Sequence, residues 1–232
     1  MIRIWGIPLI RLLDISFSLI GLVALFPLGI MISLMLRLTG EGEVFYLQER
    51  LGKNGRPFQL IKFATMLKVS PSIGSLEITV QNDPRVLPVG GFLRKTKLNE
   101  IPQLINIFIG DMSFVGPRPQ TRTNFDFFPP ETQATIASLR PGLTGIGSIV
   151  FRDEEWIVEN SEKTYEACYR EDIGPHKGEL ERWYKTHQGI VTYLSIVFVT
   201  LWVVLRPRSM IFRRIWPSLP PLPLSLRRPS KK

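Results

Sequence analysis

Apolar residues gather in two runs on either side of a mixed middle. Residues 12–36 are 25 positions with one charge, Asp14. Wound at 1.5 Å per residue, a helix of this length crosses a hydrocarbon core of about 30 Å. The run exceeds the apolar part of a cleaved leader and no small-residue cleavage site follows it, so a retained membrane helix is expected. Pro27, near its middle, lacks a backbone donor and kinks or breaks a helix. Cations flank both ends: Arg3 and Arg11 before, then Arg37, Arg50, Lys53 and Arg56 after. The positive-inside tendency therefore selects no orientation. Two topologies fit. In one, the helix bends at Pro27 and returns to the face it entered, with Ser16, Ser18 or Ser33 meeting freed backbone groups; in the other, a kinked helix passes through. The second run, Ile190–Leu205, is 16 residues, about 24 Å as a helix and short of a comfortable span. Trp202, followed by Arg206 and Arg208, suits a membrane interface; a buried core helix and a short span are the other readings.

Between the runs the pattern is that of a folded body. Residues 44–48 and 58–66 read as strands around the basic turn Arg50-Leu51-Gly52-Lys53-Asn54-Gly55-Arg56-Pro57, which predicts a β-hairpin. Residues 69–84, with Pro, Gly, Ser and Asn, read as an exposed loop. The segment 99–109 predicts a short helix with Asn99 as N-cap, Pro102 in the first turn and Gly110 as its stop. Residues 140–145 form a turn-rich loop, 153–172 an acidic helix, and 178–188 an amphipathic helix carrying Trp183 and Tyr184. The stretch 206–232 has six prolines in 27 residues and is expected to hold little folded structure. The division is thus a membrane helix (1–39), a globular body (40–189), an apolar helix (190–205) and a basic Pro-rich tail (206–232).

Composition narrows the class. A chain of 232 residues holds one ordinary domain plus attachments, and 44% hydrophobic content excludes disorder throughout. One cysteine excludes a disulfide framework or a Cys-cluster metal site and fits a reducing compartment. The net charge of +9 suggests an anionic partner. Its distribution changes that picture. Residues 206–232 hold eight cations and no acid, whereas the other 205 residues hold 21 basic and 20 acidic groups. A near-neutral body argues against nucleic acid as partner. The tail reads instead as an electrostatic anchor on anionic membrane lipids, at about 1 kcal/mol per cation that reaches the surface.

Candidate chemistry concentrates in 83–119. There Asp83-Pro84-Arg85, Arg94-Lys95, Asn99-Glu100-Ile101-Pro102-Gln103-Leu104 and Gly110-Asp111-Met112-Ser113-Phe114-Val115-Gly116-Pro117-Arg118-Pro119 follow one another. Phosphate chemistry needs this mixture: guanidinium forks for phosphate oxygens, carboxylates for Mg²⁺, and turns that expose backbone N–H groups. A loop-rich surface laced with salt bridges has the same composition. Asp83 with Arg85 reads equally as a structural ion pair or a substrate contact. Asp14 stands three residues after Arg11, so the two can share one helix face, and an interfacial anchor is the favoured reading for Asp14 over a catalytic one. His176 and His187 lack metal-ligand spacing and read as surface residues.

These residues resemble a known family, the bacterial sugar transferases of the monotopic phosphoglycosyl transferase type. The resemblance runs from about Arg11 to Pro207. It rests on Arg11-Leu12-Leu13-Asp14, Pro27, Gln48-Glu49-Arg50-Leu51-Gly52-Lys53-Asn54-Gly55, Lys62-Phe63-Ala64-Thr65-Met66 and residues 140–145. Its most specific parts are Glu100-Ile101-Pro102-Gln103-Leu104 and residues 110–119. The resemblance implies an α+β, membrane-associated monotopic fold. Its parts would be a re-entrant N-terminal helix hairpin bending at Pro27, a short β-hairpin, a small helical catalytic body and interfacial amphipathic helices. It further implies transfer of a sugar-1-phosphate from a nucleotide sugar, usually a UDP-sugar, to polyprenyl (undecaprenyl) phosphate at the cytoplasmic face of the bacterial inner membrane, with Mg²⁺. This would be the first membrane step of exopolysaccharide, lipopolysaccharide or glycoconjugate synthesis.

Residue by residue, the resemblance places an Asp-Glu dyad at Asn99 and Glu100, both catalytic and metal-binding. In the family the Asp attacks the phosphorus and forms a covalent sugar-phosphate intermediate. Here the first position is an amide, a poor nucleophile and a weaker Mg²⁺ ligand. Three outcomes follow: Glu100 attacks, the acceptor phosphate attacks directly with Asn99 positioning donor or metal, or catalysis is lost and a membrane-bound nucleotide-sugar binder remains. An active enzyme is the expectation, since the surrounding motifs are intact. Arg118 matches the group that holds the nucleotide diphosphate; Asp111 reads as orienting it or the metal, or as a helix-end polar group. Arg94 and Lys95 read as cations that meet lipid phosphate or as a solvated helix face, and Lys62 and Arg85 are further substrate-binding candidates. Ala64 stands where the family commonly has Arg, and residues 146–154 depart from the common pattern, so sugar identity is not readable.

Overall fold

The computed structural model describes residues 2–68, 84–152, 154–206, 209–223 and 226. The chain runs α1 (Ile2–Thr39), β1 (Phe45–Leu51), β2 (Pro57–Phe63), α2 (Pro88–Lys95), α3 (Gln103–Ile109), β3 (Ser113–Val115), α4 (Arg122–Asp126), α5 (Pro130–Ala137), β4 (Gly142–Thr144), α6 (Ile146–Val150), α7 (Glu154–Glu159), α8 (Tyr165–Ala167), α9 (Gly174–Thr186), α10 (Ile190–Leu205) and α11 (Ile211–Ile215). It is a mixed helix and strand fold of two compact units. One comprises residues 1–14, 50–58 and 110–232, the other 15–49 and 59–109.

The first unit is built on α9. Its buried face, with Leu180, Trp183 and Tyr184, joins Ile146 and Ile149 of α6 and Tyr193, Ile196 and Val199 of α10 in one core. Gly178 lets α9 lie against α5: a Cβ there would stand 2.2 Å from the Thr132 hydroxyl oxygen. The expected acidic helix over 153–172 is broken. It consists of α7, α8 and a π-helical turn at Cys168–Ile173, with Thr164 capping α8 through the Ala167 N–H. Cys168 is buried in that turn, and burial raises its thiol pKa. Within α9, Lys177 is buried, donates to both oxygens of Glu154 at 2.8 Å and lies over the Phe151 and Tyr169 rings.

The tail differs from its expectation. Phe212, Trp216, Leu219, Leu222 and Leu226 are buried in the main core, and the Trp183 indole donates to Ser218 at 3.0 Å. Proline count and charge predicted a loose segment, but the apolar side chains spaced along it supply enough burial to fix the described part. Arg208, Arg227, Arg228, Lys231 and Lys232 lie outside the described residues. His176 also departs from its surface reading. It is 4% exposed, burial lowers its pKa, and its Nδ1 pairs with Glu179 at 3.1 Å.

In the second unit, Ile32 and Leu36 of α1 pack with Phe63 of β2 and Leu93 of α2. The expected β-hairpin is present: β1 pairs with β2. Its turn has Asn54 at φ 60° and Gly55 at φ 70°, the two left-handed positions that an Asn-Gly hairpin turn requires. α1 is helical without interruption across Pro27, so no loop separates two arms there. A proline in mid-helix removes one backbone bond, while Ser18 and Ser33 hydroxyls bond to the carbonyls of Ile15 and Gly29 in the same helix. Residues 8–39 of α1 are long and apolar enough to cross a membrane, and Leu19, Ile20, Val23, Phe26, Met31 and Leu34 are exposed.

Candidate active site

In the second unit, the turns from α2 to α3 carry the dyad position. Pro88 opens α2, where its missing N–H is no loss. Gly90 sits so close to the motif 62–66 that a Cβ would be 2.2 Å from the Thr65 carbonyl oxygen, and Leu87 N–H donates to the same oxygen at 3.0 Å. Arg94 and Lys95 fall in the last turn of α2. Lys97 then takes a left-handed conformation, φ 60°, and Leu98–Glu100 forms a 3₁₀ turn. This corrects the sequence reading of Asn99. It lies inside that turn, the cap position falls on Lys97, and its Oδ1 accepts from no donor among the described residues. An N-cap side chain would accept a backbone N–H. Asn99 is 7% exposed, and beside it Glu100 is half-buried and polar-partnered. The adjoining α3 exposes Phe108 and Ile109, as α2 exposes Phe92, so the cations of α2 stand among exposed apolar side chains.

Lys62 lies on β2, which α3 holds through a residue that sequence reasoning missed. Asn106 is buried, accepts the Ile61 N–H at 3.0 Å and donates to the Gln59 carbonyl at 2.7 Å. Arg85 is buried with its carbonyl accepting Leu67 N–H at 2.9 Å, while Asp83, its suggested partner, lies outside the described residues, as does the loop 69–83.

In the first unit, Arg118 projects exposed from between buried Pro117 and Pro119. The segment beneath it is fixed on every side. Pro117 carbonyl accepts Gly142 N–H at 2.9 Å, Gln120 side chain donates to Arg118 carbonyl at 2.9 Å, Arg50 donates to Pro119 carbonyl at 3.3 Å, and Leu51 N–H donates to Gln120 carbonyl at 2.9 Å. β3 and β4 run parallel in register Ser113 to Gly142 and Val115 to Thr144. A Cβ at Gly116 would stand 2.2 Å from the Arg140 carbonyl oxygen, and one at Gly142 would stand 2.1 Å from the Gly116 nitrogen. The glycines of both motifs thus exist for backbone contact. A cavity of about 10 Å³ behind the segment, lined by Leu51, Gly52, Gln120, Phe125 and Leu139, has room for no more than one water.

The other end of this segment meets α1. Arg11 Nη2 lies 3.3 Å from where a Gly110 Cβ would be, over a left-handed turn of φ 105° next to Asp111. Asp14 is fully buried, which corrects its reading as an interfacial anchor. Its Oδ1 accepts from Ser113 Oγ at 2.9 Å, Phe114 N–H at 3.0 Å and Tyr193 hydroxyl at 2.8 Å. Glu154 would rise in pKa through burial alone, but the charge and hydrogen bonds of Lys177, the Tyr169 hydroxyl and the charge of Arg118 together hold it below the ordinary carboxylate value.

The two units therefore divide the candidates. The second gathers Arg94, Lys95, Asn99 and Glu100 on consecutive turns, with Lys62 and Arg85 elsewhere in it; the first holds Arg118, Asp111, Arg11 and Asp14. No group of three or more His, Cys, Asp or Glu among the described residues would cage a metal. Mg²⁺ needs no such cage, since one or two protein oxygens and substrate phosphates suffice. The orphaned Asn99 Oδ1, with Glu100 the next residue of the same turn, fits that requirement.

Comparison with known proteins agrees with these motifs. The exopolysaccharide production protein ExoY of Sinorhizobium fredii is 35% identical over 158 residues, covering 62% of this chain and 70% of that protein. The UDP-glucose:undecaprenyl-phosphate glucose-1-phosphate transferase of Escherichia coli is 36% identical over 156 residues, 66% of this chain and 33% of its own. The UDP-N-acetylgalactosamine-undecaprenyl-phosphate N-acetylgalactosaminephosphotransferase of Aeromonas hydrophila is 35% identical over 142 residues, 60% and 33% respectively. The chain spans 61% of a Bacillus subtilis relative with which it is 42% identical over 110 residues. The bacterial sugar transferase family matches residues 6–207, taking in α1, the hairpin, the Glu100 turn and the Arg118 segment alike, and the chain belongs to that family.

Proposed function

We propose that this protein transfers a sugar-1-phosphate from a UDP-sugar to undecaprenyl phosphate and so initiates synthesis of a surface polysaccharide. The observation that carries the reading is the buried, donor-free Asn99 Oδ1 in the same 3₁₀ turn as Glu100, the next residue, shortly after Arg94 and Lys95. Relatives named for UDP-glucose, UDP-N-acetylgalactosamine and undecaprenyl phosphate support the substrate classes. In the transfer, an acceptor phosphate oxygen becomes bonded to the sugar-bearing phosphorus, the pyrophosphate P–O bond breaks, and UMP leaves. Arg118, a planar fork on a stiffened segment, holds the nucleotide's phosphates. Asp111, Lys62 and Arg85 are assigned supporting substrate roles. Arg94 and Lys95, set among exposed apolar side chains, meet the acceptor phosphate. Asn99 Oδ1 and Glu100 would hold Mg²⁺, which supplies charge neutralisation at the phosphates when bound.

The protein sits on the cytoplasmic face of the inner membrane. α1 enters and returns by a bend at Pro27 within its continuous helix, and α10 lies in the interface with Val191, Leu194, Phe198 and Leu201 exposed to lipid. Arg206, stacked on Trp202, and Arg213 and Arg214 face anionic headgroups.

The test is UMP release from a panel of UDP-sugars with undecaprenyl phosphate and Mg²⁺. Turnover of at least one donor is expected, and Glu100→Gln should lower it at least about a hundredfold. Silence across the panel would remove the proposal. A phospho-sugar adduct trapped on the wild-type chain without acceptor assigns the attack to Glu100. Turnover without an adduct assigns it to the acceptor.

A further inference from the structure

We propose that Asp14 is a positioning residue that sets the phosphate-binding Arg118 through the segment between them, an inference that rests on the donor-binding role of Arg118. A carboxylate in an apolar helix is costly to bury unless hydrogen bonds compensate it. Asp14 is compensated at Oδ1, which takes hydrogen bonds from Ser113, Phe114 and Tyr193, 99, 100 and 179 residues away in sequence, while its buried Oδ2 accepts none of these. Such charge-assisted bonds are roughly twice as strong as neutral ones. Two of the donors open the strand β3, whose downstream residues lead to Arg118.

The path from Asp14 to Arg118 has little slack. Ser113 Oγ, while donating to Asp14, also accepts Val115 N–H at 3.4 Å. Val115 carbonyl accepts the Tyr184 hydroxyl at 3.3 Å, and Gly116 N–H donates to Thr144 carbonyl at 2.8 Å. Pro117 and Pro119 fix two backbone angles around Arg118, and Gly116 is in backbone contact with residues 140–145. A shift at Ser113 or Phe114 has nowhere to dissipate before Arg118. α10 meets this arrangement twice, through Tyr193 on Asp14 and through Thr200, whose hydroxyl lies 2.7 Å from that of Thr144 on the neighbouring strand β4. The two most apolar helices of the chain therefore set the pose of an exposed arginine, α1 by Asp14 and α10 by Tyr193.

The test is a double-mutant cycle on the full chain in nanodiscs, read as steady-state KM for the UDP-sugar that the wild type turns over. Asp14→Asn should raise donor KM about tenfold while kcat and acceptor KM stay within twofold. Arg118→Lys should also raise donor KM. In the Arg118→Lys background, Asp14→Asn should add less than twofold, because the group it positions is already lost. Equal effects in both backgrounds, or a loss confined to kcat or to acceptor KM, would overturn the inference. Tyr193→Phe keeps the buried charge and removes one donor; it should raise donor KM about threefold with the same non-additivity, and it serves if Asp14→Asn does not fold. An Arg118→Lys variant with unchanged donor KM overturns the inference at its base while leaving the transfer reaction standing. A wild type that turns over no donor instead fails the functional reading.

Discussion

Two carboxylates, the half-buried Glu154 and the buried Glu181, share Lys177 and end in opposite states. Glu154 takes both ammonium bonds and stays ionised. Glu181, 3% exposed, keeps the Gly147 N–H, and its Oε2 accepts from no donor among the described residues; burial pushes its pKa up to about 7 despite the charge of Lys177. An acid with a raised folded-state pKa binds more protons folded than unfolded between the ordinary value and the raised one, so its contribution to stability falls as pH rises through that window. The full drop from below pH 4.5 to above pH 7 is on the order of 3 kcal/mol. Glu181→Gln removes the titrating group. Thermal melts should show the variant gaining on wild type at pH 8 relative to pH 5, and an equal difference at both pH values would contradict the assignment. At the dyad, the same accounting of partners separates Asn99 from a cap. A side chain buried to 7% exposure with an oxygen left unused is held for something other than its own turn.

At the level of elements, the stretch after α10 carries the clearest prediction. Trp216 is buried against the Trp183 ring, 6.1 Å between centroids, in the same core as α9. Trp216→Ala should destabilise the protein by about 3–5 kcal/mol; a chemical melt that shifts by less than 1 kcal/mol would mean that the tail is peripheral. Elements governed by local chemistry were legible in the sequence. The Asn-Gly turn announced the hairpin, and the apolar run Ile190–Leu205 is α10 to the residue. In the tail, proline and charge mask a second signal, the spacing of Phe212, Trp216, Leu219, Leu222 and Leu226, whose burial decides the outcome. The site was legible only as motifs. Asn106 bridging α3 to β2, Lys177 on Glu154, and the donors on Asp14 join residues 23 to 179 positions apart. No local pattern encodes such distances. The left-handed Lys97 that displaces the cap from Asn99 was equally hidden, because lysine gives no signal for that conformation.

For the whole molecule, the proposed return of α1 to one membrane face makes a topological prediction. If α1 returns to the face it entered, thiol labels at positions 3 and 53, introduced as Arg3→Cys and Lys53→Cys in membrane vesicles, should both be reached by an impermeant maleimide from the same side. Labelling from opposite sides would establish a crossing helix and move the body's assignment with it. The buried Cys168 bears on how cleanly that question can be put. Its thiol is 1% exposed, and burial holds it in the unreactive protonated form. The natural chain is therefore already a silent background for maleimide chemistry: an installed probe reports alone, no cysteine has to be removed from the core, and any signal from the unsubstituted protein marks molecules that have come unfolded.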